Sequence, residues 1–272
     1  MPVTIDPHVA LTWIERVQVG GQRERVRDEV AIEEPLEIRV DGEPLAVTMR
    51  TPGEDEELAA GFLAGEALIG GPADIERVDL GAELEANVVD VRTRAGLRRD
   101  PSGERRFHLT SSCGVCGKAA LEHVRREAPP ARPGPAVTPE AVVGMPELAR
   151  REQPVFERTG GLHATALFDS DGRLLVLRED VGRHNAMDKA LGALLLRDRW
   201  PLHGAVACLS GRAGFELVQK ASLAGLAGVV AVGAPTSLAV SLAAERDLLL
   251  CGFTRPNSFN VYAGADRIVP EG

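Results

Sequence analysis

Apolar and polar positions alternate over Pro35–Val40 and again over Leu45–Met49, and Asp41-Gly42 stands between them. Period-two alternation on either side of an Asp-Gly pair predicts an antiparallel hairpin within residues 29–50. Thr51-Pro52-Gly53 breaks that pattern, and Glu54 to Glu57 follow as carboxylates suited to the positive end of a helix. Leu58, Phe62, Gly65 and Ile69 then recur at helical spacing, which predicts a helix with one apolar stripe, stopped by Gly70-Gly71-Pro72. Val88 to Val91 reads as another strand.

The second half alternates strand and helix. Leu162 to Leu177 reads as a hairpin turning at Asp171-Gly172, and Met187, Ala190, Leu191, Leu194 and Leu195 follow helical spacing. Ala205–Leu209, Gly228–Val232, Leu248–Cys251 and Phe259–Tyr262 read as strands, with helices starting near Phe215 and Thr236. Strands alternating with helices predict an α/β fold, a sheet covered by helices. Two stretches lack any period: the polar, arginine-rich residues 93–106 and the proline-rich residues 129–139. The first is taken as the boundary between a smaller α+β unit over residues 1–105 and a larger unit over 106–272, with the second as a loop inside the latter.

Composition narrows the partners. The chain of 272 residues carries a formal net charge of −9, which argues against nonspecific nucleic-acid binding and leaves room for an anionic small ligand only where basic groups cluster. Nearly all of its positive charge is arginine. No basic segment followed by an apolar run opens the chain, so a cytoplasmic location is expected. No residue between Lys220 and Glu245 is charged, but Gly233-Ala234-Pro235-Thr236-Ser237 interrupts that stretch. It reads as helix end, buried strand, turn and helix start rather than a membrane span.

Four cysteines are present. Cys208 and Cys251 lie inside apolar runs and read as buried strand residues. Cys113 and Cys116 lie in Ser111-Ser112-Cys113-Gly114-Val115-Cys116-Gly117-Lys118, where flanking glycines and a following helix would favour an accessible, stabilised thiolate. Such a pair can serve structural zinc, a zinc deaminase, a dithiol redox centre or a sulfur carrier, or be two buried thiols. The chain has no His-x-Glu and has Ser112 in place of the deaminase proline, and no second pair offers zinc spacing.

Three loops share a form, each following a strand and opening a helix: Arg178–Asn185, Ser210–Phe215 and Gly233–Ser237. Such loops line the carboxyl edge of an α/β sheet and can present N–H groups to phosphate oxygens, or simply cap helices. Arg183, Arg212 and Arg255 can add positive charge there. His184 and Asp188 lie four residues apart, opposite the apolar stripe, and read as a hydrogen-bonded surface pair more readily than an acid–base pair. His163 begins a strand, with structural and functional roles equally open.

Together these stretches are similar to the FdhD family of formate dehydrogenase accessory sulfurtransferases. The resemblance runs from about Glu29 to Ile268 and is carried by residues 50–69, 111–118, 160–169, 178–192, 209–221, 233–240 and 259–264. It implies a cytidine-deaminase-like C-terminal domain that lacks the deaminase zinc site and holds no metal of its own. It also implies that a cysteine desulfurase passes sulfur to Cys113 as a persulfide, with Cys116 receiving, relaying or releasing it. The sulfur would go to the molybdenum of bis-molybdopterin guanine dinucleotide, the cofactor of formate dehydrogenase, which a guanine nucleotide such as GDP would mimic in part. By the same resemblance Phe253, Thr254, Arg255, Pro256, Asn257 and Ser258 contact that cofactor, and the chain forms a homodimer. Ser258 stands where the family more usually has a second basic residue, and Gly233 where it often has serine. A cofactor-binding chaperone without sulfur transfer is the main alternative, a zinc-binding deaminase-like protein the next.

Overall fold

The structure is a computed structural model that describes residues 6–81, 87–98, 107–108 and 137–269. Cys113, Cys116 and the boundary expected near residue 105 lie outside the described residues, as does most of the proline-rich stretch.

The chain opens with a ribbon that the sequence pattern did not predict. Strands β1 (Val9–Val17) and β2 (Arg23–Ala31) pair antiparallel along their whole length. Most of their side chains are exposed, so no buried face imposes an alternating pattern. Trp13 lies beneath the guanidinium groups of Arg25 and Arg27, each 5.1 Å from its ring centre. The base is fixed by the Ile32 N–H donating to the His8 carbonyl at 2.9 Å, and by Arg158 reaching Glu29 and Asp6.

The predicted hairpin is β3 (Glu34–Val40) and β4 (Glu43–Arg50). Asp41 and Gly42 both have positive φ, 52° and 90°, as a two-residue primed turn requires. Strand β5 (Ile75–Leu80) had no prediction, whereas β6 (Val88–Thr93) was expected; with β7 (Phe107–His108) they complete a sheet of order β5-β6-β3-β4-β7. Leu36, Ile38, Val89 and Val91 form its buried face and pack on helix α1 (Asp55–Gly65). That helix stops short of the predicted Ile69. The backbone turns left-handed at Ala67 (φ 56°), and the Leu68 N–H closes back on the Leu63 carbonyl at 2.8 Å, a helix-ending turn built without glycine.

The second sheet has the order β13-β12-β11-β10-β8-β9. Its strands are β8 (His163–Phe168), β9 (Leu174–Asp180), β10 (Val206–Leu209), β11 (Gly228–Ala231), β12 (Leu249–Arg255) and β13 (Ser258–Ala263). The three central strands β10, β11 and β12 run parallel, and β8, β9 and β13 join antiparallel. Along β10 the side chains alternate between two cores. Val206 and Cys208 face helix α2 (Pro139–Arg151), while Ala207 and Leu209 face α4 (Arg183–Leu195), α5 (Phe215–Leu223) and α6 (Ser237–Glu245). Helix α2 and the short α3 (Pro154–Thr159) were not predicted, although the signal for α2 is present: Thr138 accepts from the Ala141 N–H at 3.2 Å, and Pro139 opens the helix.

Helix α4 is the centre of the molecule, with its second-sheet neighbours on one side and α1 on the other. Every residue from Asn185 to Leu195 is buried, as are Leu58 to Gly65 of α1. Neither helix therefore has the single stripe expected of it. Their crossing is set by Gly61 and Gly192: a Cβ on Gly61 would lie 1.8 Å from the Asp188 carbonyl oxygen, and one on Gly192 1.8 Å from that of Glu57. The uncharged run after Lys220 divides into the end of α5, β11, a turn and α6, and no helix among the described residues is long and apolar enough to cross a membrane.

Candidate anion-binding edge

The three strand-to-helix loops all lie on one edge of the second sheet, at the carboxyl ends of β9, β10 and β11. Strand order sets their sequence along that edge: the turn after β12, the loop after β11, the loop after β10, the start of β8, then the loop after β9. The loops after β10 and β11 and the turn after β12 are hydrogen-bonded to one another. The Gly233 N–H donates to the Gly211 carbonyl at 2.9 Å and the Thr236 N–H to the Ala213 carbonyl at 3.0 Å. The Phe253 N–H donates to the Gly233 carbonyl at 3.0 Å, and Ser210 Oγ accepts from the Ala164 N–H at 2.9 Å. Gly233 is fitted closely, since a Cβ there would come within 2.9 Å of the Gly211 carbonyl oxygen.

Residues Phe253 to Ser258 form the end of β12, its turn and the start of β13. Phe253 has a φ of 50° and projects a 44% exposed ring beside that turn. Arg255 Nη1 donates to the carbonyls of Val232 (2.8 Å) and Thr254 (2.9 Å), which ties this arginine to the neighbouring loop. Pro256, Asn257 and Ser258 are exposed. Thr254 is buried, and its hydroxyl has no hydrogen-bond partner among the described residues. Arg212 is exposed on the loop after β10, and Arg183 is half-buried at the start of α4.

His184 and Asp188 do not pair on the surface. His184 Nε2 lies 2.6 Å from Glu216 Oε2, so the first turns of α4 and α5 are linked through this histidine. The contact with His184 lowers the Glu216 carboxyl against the opposing effect of burial. Asp188 is buried and bound to Lys220 Nζ at 2.8 Å, with Glu66 3.1 Å from the same ammonium. Burial raises the Asp188 carboxyl to about 6 despite that ammonium. The surface-pair reading fails because α4 is enclosed between two layers, which leaves its polar residues facing other elements. His163, half-buried at the start of β8, has its imidazole lowered by burial first and then by Arg183 and His184, with Asp180 opposing.

Sequence reasoning overlooked the network that holds this edge. Asp180, at the end of β9, accepts from the N–H groups of Gly182 (2.8 Å) and Thr51 (3.1 Å) and from Asn185 Nδ2 (3.0 Å), and it pairs with Lys189 Nζ at 2.9 Å. Lys189 Nζ also donates to the Thr51 carbonyl at 2.8 Å, Asn185 Nδ2 to the Met49 carbonyl at 2.7 Å, and Thr48 Oγ1 to Asn185 Oδ1 at 3.1 Å. Burial raises the Asp180 carboxyl, against the pull of these donors. The end of β4 is thereby fixed to the loop that carries Arg183. Arg178 adds a second link, with two nitrogens on the two carboxylate oxygens of Glu57. The signal was the density of polar residues in 50–57 and 178–189; their complementarity across the sequence was not visible. Cys208 and Cys251 are buried in β10 and β12, and burial pushes each thiol up to about 12.

An edge of this form, with loops bonded into one rim and arginines along it, can receive phosphate oxygens. Comparison with known proteins is consistent along the chain. The FdhD/NarQ family profile matches residues 31–269. A sulfur carrier protein FdhD from Streptomyces coelicolor is 52% identical over 255 residues, 89% of each chain. The protein of the same name from Mycobacterium tuberculosis is 50% identical over 252 residues, 88% of this chain and 91% of its own. The crystal structure described as that of a formate dehydrogenase accessory protein from Desulfotalea psychrophila superimposes with a TM-score of 0.80 at 26% identity, covering 97% of this chain and all of the other. On this evidence the chain is a member of the FdhD/NarQ family.

Proposed function

We propose that this protein is a sulfur carrier that serves formate dehydrogenase by sulfurating its molybdenum cofactor. Relatives about half identical to it over most of their length are named sulfur carriers, and this chain holds the Cys113–Cys116 pair the role needs. The observation that carries the reading on the structural side is the single hydrogen-bonded rim formed by the loops after β10, β11 and β12. A ligand with two guanine dinucleotide arms needs that kind of surface, backbone amides beside arginines, on a protein whose overall charge would repel it.

In this reading the Cys113 thiolate attacks the outer sulfur of a cysteine desulfurase persulfide. The donor's S–S bond breaks, its thiolate leaves, and a new S–S bond forms on Cys113. Attack of the Cys116 thiolate on the inner sulfur then expels sulfide and leaves a Cys113–Cys116 disulfide. The two electrons that turn sulfane sulfur into sulfide come from the pair. Phe253 to Ser258, Arg183 and Arg212 hold the bis-molybdopterin guanine dinucleotide, and GDP occupies part of the same rim. The reading extends to a cytidine-deaminase-like fold for the unit over 106–272, a smaller unit over 1–105, a homodimer and a cytoplasmic setting.

The test is intact-mass analysis after incubation with a cysteine desulfurase and cysteine. A reducible gain of one sulfur is expected, absent in Cys113→Ala and retained in Cys116→Ala, with sulfide release lost in the latter. Formate dehydrogenase that remains fully active in cells carrying only Cys113→Ala would favour a cofactor-binding chaperone instead. Stoichiometric zinc on the two cysteines would point to the deaminase-like alternative.

A further inference from the structure

The β1–β2 ribbon lies ahead of residues 31–269, which match the family profile, and its side chains are mostly exposed. A ribbon of two strands is marginally stable in water and gains from further strands. Its hydrogen bonds show which groups it leaves unused. The Ile32 N–H donates to the His8 carbonyl at 2.9 Å, and the Gln18 N–H to the Gln22 carbonyl at 3.3 Å. Antiparallel bonding recurs at every second residue. In a register that runs from Val9↔Ala31 to Val17↔Arg23, the even-numbered residues of β1 therefore turn their N–H and C=O groups to β2. Those of Leu11, Trp13 and Glu15 face the outer edge. The stretch Ala10-Leu11-Thr12-Trp13-Ile14 along that edge carries no charge, and Leu11 is 63% and Trp13 55% exposed.

Other strand edges are blunted against pairing, most of them by charge. Strand β2 has six charged residues among its nine, and Glu29 near its end is held by Arg158 of α3. Charges interrupt β5 and β9, and β7 is two residues long. Strand β13 is uncharged, but two irregularities break its pairing with β12. That leaves β1 as the regular, uncharged edge among the described residues.

We propose that β1 pairs antiparallel with β1 of a second copy about a two-fold axis at Thr12, so that two ribbons become one four-stranded sheet. This rests on the homodimer in the reading above and names the surface that forms it. Only odd-numbered residues face outward, so odd must meet odd. An axis at Thr12 satisfies that condition and sets the uncharged stretch against itself. Leu11 and Trp13 of the second copy then exchange N–H···O=C bonds in both halves of the interface, while Ala10 meets Ile14 and Thr12 meets Thr12. An axis at Trp13 has the same parity but opposes Leu11 to Glu15. With the axis at Thr12, Glu15 meets Val9, and Arg16 comes diagonally beside Asp6 of the other copy, so opposite charges flank the apolar centre. This swap of Leu11 with Trp13 is a self-complementarity, which is why the occupant is a second copy rather than an unrelated strand.

The experiment is sedimentation of the full-length protein together with disulfide trapping in a Cys113→Ser, Cys116→Ser background. Wild type should sediment as a dimer. Leu11→Pro removes an outward N–H and leaves the ribbon's own bonds, so it should weaken the dimer about tenfold or more with its thermal midpoint unchanged. Facing residues of a non-hydrogen-bonded pair lie about 4.5 Å apart at Cα, within disulfide range. Thr12→Cys alone should therefore oxidise to a covalent dimer. Ala10→Cys and Ile14→Cys should do so only when the two proteins are mixed, a result independent of how the proline variant folds. A monomeric wild type overturns the proposal. So does a dimer that survives Leu11→Pro without any of these cross-links, or cross-linking by Ala10→Cys alone, which would put the axis elsewhere. Sulfur loading of Cys113 should be equal in wild type and Leu11→Pro; its absence from both would count against the carrier reading whatever the oligomeric state.

Discussion

Asp180 and Lys189 are each fully buried, and their contacts explain how a charged pair is kept in the interior. The carboxylate receives two backbone N–H groups and one amide besides the ammonium, and the ammonium also donates to the Thr51 carbonyl. A buried pair of this kind contributes little compared with an apolar replacement of both partners, but loss of one partner leaves a charge without compensation. Lys189→Met should therefore destabilise the protein by about 3–5 kcal/mol in denaturant unfolding. The double change Lys189→Met with Asp180→Asn should recover part of that loss. Because Asp180 also positions the loop carrying Arg183, the single variant should also weaken GDP binding under conditions where it remains folded. Both residues stand in the sequence as ordinary charges, since nothing local to residues 178–189 indicates that Thr51 lies opposite them.

At the scale of elements, two glycines within helices have opposite meanings. Gly192 lies where α4 crosses α1, and a methyl group there would meet the Glu57 carbonyl oxygen at 1.8 Å, a backbone atom that cannot step aside. Gly192→Ala should force the helices apart and lower stability by about 2–3 kcal/mol or more. Gly144 lies within α2, and a Cβ there meets nothing within 4 Å. Gly144→Ala should raise stability by about 0.5–1 kcal/mol, because only the entropy of the unfolded chain and helix propensity are affected. Thermal or urea unfolding of the two variants side by side checks both signs. Helical spacing located α4 and the beginning of α1 correctly, yet it implied one apolar face each. Small residues such as Ala59, Ala60, Ala64 and Gly61 do not register in an apolar stripe, although their smallness is what allows burial on every side.

For the whole molecule, the buried thiols and Lys220 set a pH response. Cys208 and Cys251 are raised to about 12 by burial. Burial alone would lower Lys220, but Asp188 and Glu66 outweigh it and raise that ammonium as well. A group whose value is raised in the folded state stabilises fully below its unfolded value and loses that contribution as pH climbs through the folded one. Here the window opens near pH 9 for the thiols and somewhat higher for the lysine. The midpoint of urea unfolding should fall from about pH 9 upward, at a limiting slope of about 1.4 kcal/mol per pH unit for each group. Cys208→Ala with Cys251→Ala should be less stable at neutral pH yet show a shallower alkaline slope.

Elements with local signals are legible from the chain alone. The β3–β4 hairpin follows from alternation around Asp41-Gly42, and the strands β10 to β12 from short apolar runs between glycine-rich turns. Three loops of matching form could be recognised one at a time for the same reason, and the order of several long motifs was enough to indicate the family. Whatever depends on residues distant in the chain emerges only on folding. It enclosed α1 and α4 on all sides, turned His184 from Asp188 to Glu216, and brought Thr51 to Asp180 across 129 positions. It also bonded the loops after β10 and β11 and the turn after β12 into one rim. The physical reason is that periodicity and turn chemistry are properties of neighbouring residues, whereas a charge or a hydrogen bond takes its meaning from the partner that folding supplies.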